Sequence, residues 1–385
     1  MDRPPLFTRV LALAFVANFL QGTAFNLFLN LPGYLTGLGA TKTQIGLIWG
    51  ITAASAILSR PTVGRLMDQR GRRVVFLVGG VLNVAVCGLY LTVTEIGPWI
   101  ALIRIIHGIS EAMLFSSLFT YAADRIPVSR RTEGIALFGI SGLLSISVGA
   151  ALGEATEIRL GYDGLFLAAA ALAVGSLLLT LPLRDLGPED GEDELPHGFL
   201  AALGQHDLLP LWMATAVFAT ALAAPFTFMK SFVAEAGFGS MATFFNAYSI
   251  SGVLLRLLFA GLPDRIGPKR ALFPAMGTLG VGFVLLTLAT SGNHVLAAGV
   301  FCGLGHGLTF PILMGLVVSR ARDADRGAAM AIFTALFDLG MLLGGPLFGV
   351  LIDARGFSPA FGVGFLLLAS GGAAFALWDR GNATS

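Results

Sequence analysis

Apolar residues run in stretches of about twenty, separated by short polar turns, along the whole chain. Twenty helical residues rise about 30 Å, the thickness of a hydrocarbon core. The pattern predicts spans over 8–36, 43–66, 73–95, 97–122, 133–155 and 162–183. It then predicts 208–233, 241–262, 269–290, 293–319, 327–351 and 358–378. The expected fold class is an all-α membrane protein with twelve transmembrane helices. The first stretch, Val10 to Tyr34, follows Arg3 and Arg9. It is too long for a signal-peptide core and leads straight into a second span, so it reads as an uncleaved first helix. One long polar interval, 184–207, contains Asp185, Glu189, Asp190, Glu192, Asp193 and Glu194. It divides the chain six and six and reads as a solvated linker. Six-helix bundles are therefore expected over 1–183 and 208–385.

Composition narrows the reading. Apolar residues make up 55% of the 385 positions and charged residues 12%, about half the charge of a soluble domain. So few charges cannot cover a water-facing surface. A net charge of +1 gives no footing for nucleic acid. Cys87 and Cys302 both lie in apolar runs, which argues against a disulfide framework or a zinc site. The 50 glycines suit helices that pack closely in a bilayer. The H-E-x-x-H, G-x-S-x-G and G-x-x-x-x-G-K-[ST] patterns are absent, so neither an enzyme nor an ATP-driven pump is expected. No cofactor is implied.

Loop charges set the expected orientation. Arg65, Arg70, Arg72 and Arg73, then Arg125, Arg130 and Arg131, fall in one set of loops. Arg265, Lys269 and Arg270, then Arg320, Arg322 and Arg326, continue that set. The alternate loops carry Lys42, Arg159, Lys230 and Arg355. The richer set is expected in the cytoplasm, with both termini and the linker, and a bacterial inner membrane fits.

The halves repeat. Arg60, Asp68, Gly71 and Arg73 are matched by Arg256, Asp264, Gly267 and Lys269 or Arg270. His107-Gly108 is echoed by His306-Gly307, and Arg131 with Phe138 by Arg326 with Phe333. Chance would explain one match between Leu/Gly-rich helices, but not an ordered series. A repeat of two pseudo-symmetric six-helix halves predicts a central cavity near the bilayer midplane.

Gly64-Arg65-Leu66-Met67-Asp68-Gln69-Arg70-Gly71-Arg72-Arg73 joins the second and third spans. It resembles the loop motif of the major facilitator superfamily, G-x-x-x-D-x-x-G-R-R/K. The copy at Ala260 to Arg270 keeps Asp264, Arg265, Gly267, Lys269 and Arg270, with Ala260 in place of the first glycine. Gly64 is expected to permit close helix packing. The resemblance implies a cytoplasmic latch of Asp68, Arg72 and Arg73 with span 11, and of Asp264 and Arg265 with span 5. The other reading is that these arginines only fix topology.

An ionisable group at mid-bilayer costs roughly 2.5–3.5 kcal/mol on insertion scales, so each needs a reason. In the fourth span, Arg104, His107, Gly108 and Glu111 share one helical face. The run resembles the family's R-x-x-Q-G-x-x-x-A, with His107 for Gln. Proton-coupled relatives use that arginine in the cavity beside a protonatable partner; a permanent structural Arg–Glu pair is the alternative. Asp338, mid-span 11, has no charged neighbour within a turn of its own sequence. It reads as a proton or cation site, or as a neutral carboxyl bonded between helices. His306 lies among Gly303, Gly305 and Gly307 and reads as a packing residue or as the partner of His107. Two histidines and two carboxyls are metal-ligand types, but the sequence does not set their facing and no metal is assigned.

Arg60 and Arg256 lie eight residues before the loop aspartates, about 12 Å deeper by helical rise. They read as inner-mouth residues that attract an anionic solute, or as structural donors to carbonyls. Asn18, Gln21 and Asn26 in span 1, and Asn246 in span 8, are candidates for the cavity wall or for ordinary interhelical bonds. Exporters of the superfamily often carry an acid in span 1 and a proline in a span-5 glycine motif. Span 1 here has no carboxyl, and Ser147-Val-Gly149-Ala-Ala-Leu-Gly153-Glu154 has no proline. Gly344-Gly345-Pro346 occurs instead in span 11. The leading expectation is a monomeric secondary transporter working by alternating access, exporting a small organic molecule in exchange for protons. A proton-coupled importer of a polar or anionic solute and a non-transporting sensor are the alternatives.

Overall fold

Hydrocarbon offers a peptide group no hydrogen bond, so a lone membrane segment must satisfy its backbone internally as a helix. In the computed structural model, the described residues are helical with short turns between, and none of them forms a strand. The structure describes residues 8–126, 131–185, 199–259, 263, 266–322 and 325–381. Within these, the side chains of Arg65, Asp68, 131–137, 199–200, 326–327 and 381 lie outside the description.

The chain opens with α1 (Arg9–Leu27), a 3-10 turn (Phe28–Asn30) and α2 (Leu31–Gly37). There follow α3 (Lys42–Arg70), α4 (Arg72–Leu89), α5 (Pro98–Arg125) and α6 (Arg131–Thr180). After the short α7 (Phe199–Leu203) come α8 (Leu209–Ala236), α9 (Met241–Phe259) and α10 (Pro268–Thr287). The last three are α11 (Gly292–Arg320), α12 (Arg326–Arg355) and α13 (Phe357–Trp378).

Ten segments among the described residues are long and apolar enough to cross a membrane. The difference from the expected dozen has two physical causes. The expected fifth and sixth spans form one segment, Phe138–Thr180. Its backbone leaves helical geometry at Gly161 (φ 68°, ψ −170°), so the helix runs past the expected end at 155 before it breaks. The expected second span is helical as α3 but is not among the ten. Arg60, Arg65, Asp68 and Arg70 dilute the apolar character of its second half. Large apolar side chains face outward, including Leu58, Ile158, Leu258 and Leu366, which are 61–79% exposed. In water such a surface would drive association; against hydrocarbon it is at home.

Two compact units form: residues 1–40 with 51–189, and residues 41–50 with 190–385. In the first, α1 lies along α6. Gly22, Asn26 and Asn30 meet Ser145, Gly149 and Gly153, both sets at i, i+4 spacing. A cluster of Leu11, Phe76, Leu118, Tyr121, Phe138 and Leu183 packs one end of this unit.

Each unit ties the end of its last helix to the start of its third, in different ways. Gly71 (φ 84°) precedes α4, and the Asp185 carboxylate occupies the space a Cβ would need there. Asp185 accepts the Arg73 backbone N–H at 3.1 and 3.2 Å, and is exposed. The Arg73 side chain donates to the carbonyls of Leu183 (2.8 Å) and Leu181 (3.1 Å). In the second unit, Gly267 (φ 93°) precedes α10. Asp379 is 1% exposed and pairs with Lys269 at 2.6 Å and with Arg320 through both oxygens at 2.8 and 2.9 Å. Arg320 also holds the segment before α8: its carbonyl accepts from Gln205 Nε2 at 2.6 Å, and its Nη1 donates to the Asp207 carbonyl at 3.3 Å.

Removing one partner of a buried pair strands the other charges, at a cost of about 3–5 kcal/mol. Losing an exposed helix cap costs about 0.5–2 kcal/mol. Asp379→Ala is therefore expected to lower the thermal unfolding midpoint in detergent well beyond Asp185→Ala. Equal shifts would show that both carboxylates act only as caps.

Candidate functional site

Spacing of i, i+3, i+4 and i+7 places Arg104, His107, Gly108 and Glu111 on one stripe of α5. Arg104, 1% exposed, donates from Nη1 to the Tyr90 hydroxyl at 3.2 Å. The same hydroxyl stands 3.1 Å from His107 Nδ1. Arginine can only donate and a phenol has one proton. The assignment that fits both contacts has Tyr90 accepting from Arg104 and donating to Nδ1, which puts the proton of a neutral imidazole on Nε2. His107 Nε2 makes no hydrogen bond among the described residues. The Phe25 and Phe28 rings stand edge-on to the imidazole at 5.4 and 4.8 Å. Phe28 and Phe166 close on Tyr90 at 4.5 and 5.3 Å.

One helical turn beyond His107, half-buried Glu111 accepts a hydrogen bond from Gln21 Nε2 of α1. Gln21 thus turns towards α5, while its neighbours turn towards α6. Asn18 donates to the Ser141 hydroxyl at 2.7 Å, and Asn26 to the Ser145 hydroxyl at 3.2 Å and the Gly22 carbonyl at 2.8 Å. Gly108 has a separate task. A Cβ there would strike the Thr52 carbonyl and the Ser55 hydroxyl, so this glycine sets how closely α3 and α5 cross.

The second unit builds a related pair. Tyr248 of α9 bonds through its hydroxyl to His306 Nδ1 of α11. Arg256 Nε donates to the Gly307 carbonyl at 3.0 Å. Phe218, Phe310 and Phe337 surround the half-buried imidazole at 5.3, 5.9 and 6.5 Å. Asp338 follows Phe337 in α12 and is half-buried, as are Asn246 in α9, Lys230 in α8 and Arg60 in α3. Among the described residues, no three His, Cys, Asp or Glu side chains come together as a metal site.

The loop residues divide. Arg72 Nε bonds Asp124 at 3.1 Å, and Arg73 binds the end of α6 as above. Lys269 binds Asp379, and Arg270 is exposed. Gly64 does not act as a close-packing glycine here: an added Cβ meets nothing within 4 Å among the described residues. The side chain of Asp68, and Asp264 and Arg265 altogether, lie outside the described residues.

Sequence reasoning missed Tyr90 and Tyr248, the hydroxyl partners of both histidines. Each sits in an apolar run with no spacing that links it to its partner. The one usable signal is scarcity: the chain has five tyrosines against 30 phenylalanines. Ser141 and Ser145 share an i, i+4 stripe on α6 but carry no mark beyond that.

Tyr90→Phe removes the acceptor for Arg104 and the donor to His107 in one step. Leaving buried polar groups unmet costs about 1–3 kcal/mol. Denaturant titration is expected to show that loss, with Tyr90→Phe/His107→Phe recovering part of it. A stability change below about 0.5 kcal/mol, the range of neutral surface changes, would contradict the network.

The sequence model of the Major Facilitator Superfamily matches residues 11–294 and 245–384. The MFS-type transporter YhhS of Escherichia coli K12 is 27% identical over 338 residues, covering 85% of this chain and 81% of YhhS. An MFS-type transporter of Pseudomonas aeruginosa LESB58 is 28% identical over 345 residues, covering 86% and 83% of the two chains. A variant of the nucleoside transporter NupG superposes with a TM-score of 0.82 at 14% identity, over 96% of this chain and all of the other. The human organic anion transporter MFSD10 gives 0.73 at 19% identity, over 97% and 100% of the two chains. These two likenesses show the fold.

Proposed function

This chain belongs to the major facilitator superfamily, and from that premise we propose that it exports a small organic molecule in exchange for protons, by alternating access. It is a multi-pass integral membrane protein. The proposal takes twelve crossings: the ten apolar segments, with Phe138–Thr180 counted as two at Gly161, and α3 besides. It further takes six-helix bundles over 1–183 and 208–385 joined by 184–207, a monomer, and both termini in the cytoplasm of a bacterial cell. The arginine-rich loops support that orientation.

The observation that carries the coupling is the bond from Gln21 to Glu111. A carboxyl that trades protons must keep a partner in both of its states. An amide N–H serves here, because a carboxyl still offers an acceptor oxygen after it is protonated. The buried Arg104 lies two helical turns away on the same stripe. Asn18, Gln21 and Asn26, with Tyr90 and His107, supply polar atoms in otherwise apolar helices. Such groups are retained inside membranes where solute or ion passes. Asp338, His306 and Asn246 are the corresponding residues proposed for the second unit. The latch roles of Asp68, Asp264 and Arg265 stay part of the proposal.

A second reading, proton-driven import of an anionic solute, is favoured by Arg256. Its guanidinium donates to a neutral carbonyl, and no ion pair takes its charge among the described residues. One solved structure of the same fold is an organic anion transporter.

Proteoliposomes with an imposed pH gradient separate the two. Export predicts that a solute selected by thermal stabilisation moves against the proton flow, and that Glu111→Gln abolishes this driven flux while binding remains. Movement with the protons would replace export by import. Undiminished driven flux in Glu111→Gln would remove Glu111 from the coupling.

A further inference from the structure

Within the second unit, α10 and α13 pack against each other and leave a groove of about 270 Å³ between them. Phe273, Gly277 and Gly280 line it from α10, and Phe365, Ala373 and Ala376 from α13. Phe273, Gly277 and Ala373 are exposed, so the groove opens at the surface. Its depth comes from missing side chains. A Cβ at Gly277 would meet nothing within 4 Å among the described residues, so no packing partner there calls for glycine. A Cβ at Gly280 would stand 3.3 Å from the Phe365 ring, which closes the far end. The near end is marked by charge. Lys269 Nζ donates to the Asp379 carbonyl at 2.6 Å, which sets the start of α10 beside the end of α13. The next residue on each side, Arg270 and Arg380, is exposed. Neither makes an ion pair among the described residues. No carboxylate is left to answer them: α10 and α13 carry no acidic side chain, and Lys269 and Arg320 hold Asp379.

We propose that this groove holds one acyl chain of an anionic phospholipid whose phosphate lies between Arg270 and Arg380. Three observations point that way. First, the depth matches one leaflet. From Arg270 to Gly280 the helix rises about 15 Å, half of a hydrocarbon core about 30 Å thick. Second, the groove is apolar along its length and cationic at one end, as a lipid is apolar in its chain and charged in its headgroup. Two guanidinium groups match phosphate oxygens in charge and in geometry. A zwitterionic headgroup brings its own cation to a place that already has two, so an anionic one fits better. Third, Trp378 is exposed at the same end. An indole there sits at headgroup level, which sets the arginines at the boundary of bilayer and water.

The site concerns the bilayer and not the cargo, so it stands or falls apart from the transport reading. Native mass spectrometry of the purified full chain tests it, with phosphatidylglycerol or phosphatidylcholine of matched acyl chains added in detergent. The wild type is expected to bind the first phosphatidylglycerol more tightly than the first phosphatidylcholine. Arg270→Gln and Arg380→Gln should each weaken that first phosphatidylglycerol by about fivefold, the worth of one basic residue near an anionic lipid surface. Both should leave phosphatidylcholine nearly unchanged. Gly277→Leu extends into the groove from a position where a Cβ has open space among the described residues, and should weaken both lipids. Equal affinity of the wild type for the two lipids overturns the proposal. So does an unchanged phosphatidylglycerol affinity in Arg270→Gln/Arg380→Gln or in Gly277→Leu.

Discussion

A hydrocarbon solvent offers no hydrogen bonds, and the rest of this structure depends on that constraint. Backbone groups meet it by forming helices. Serine and threonine hydroxyls often meet it on their own helix, whereas several longer polar side chains inside the spans reach partners on another helix. That constraint explains why Asn18 reaches Ser141, why Tyr90 sits between Arg104 and His107, and why Gln21 meets Glu111. These bonds hold the first unit in register while keeping its ionisable groups inside the membrane.

The same constraint separates buried joints from exposed ones. Where a charge is buried, as at Asp379, it is matched by two cations, and breaking the set is expensive. Where a carboxylate stands at an exposed edge, as at Asp185, water competes for every bond it makes.

Much of the fold was legible because the bilayer writes a coarse pattern into the sequence. Apolar stretches of span length predicted the long helices, with boundaries near those observed. The arginines of α3 broke the pattern, since they make a real helix less apolar than its neighbours. The join at Gly161 was blurred because a single glycine makes the break and few polar residues flank it. At the site, helical spacing was enough to place Arg104, His107 and Glu111 on one stripe. It could not supply Tyr90 or Tyr248, because partners on different helices leave no periodicity. Nor could it show that Gly64 meets nothing within 4 Å among the described residues while Gly108 meets the Thr52 carbonyl: both are glycines in a span, and only the neighbouring helix distinguishes them.

The central claim is that Glu111 exchanges its proton while Gln21 keeps it bonded. The most direct test is proton release or uptake by purified protein in weakly buffered detergent, followed with a pH-sensitive dye. A solute chosen for thermal stabilisation is added to wild type and to Glu111→Gln. The account predicts a solute-dependent proton signal in wild type that disappears in Glu111→Gln, although the variant still binds the solute. An equal signal in both proteins, or none in wild type despite binding, would contradict it.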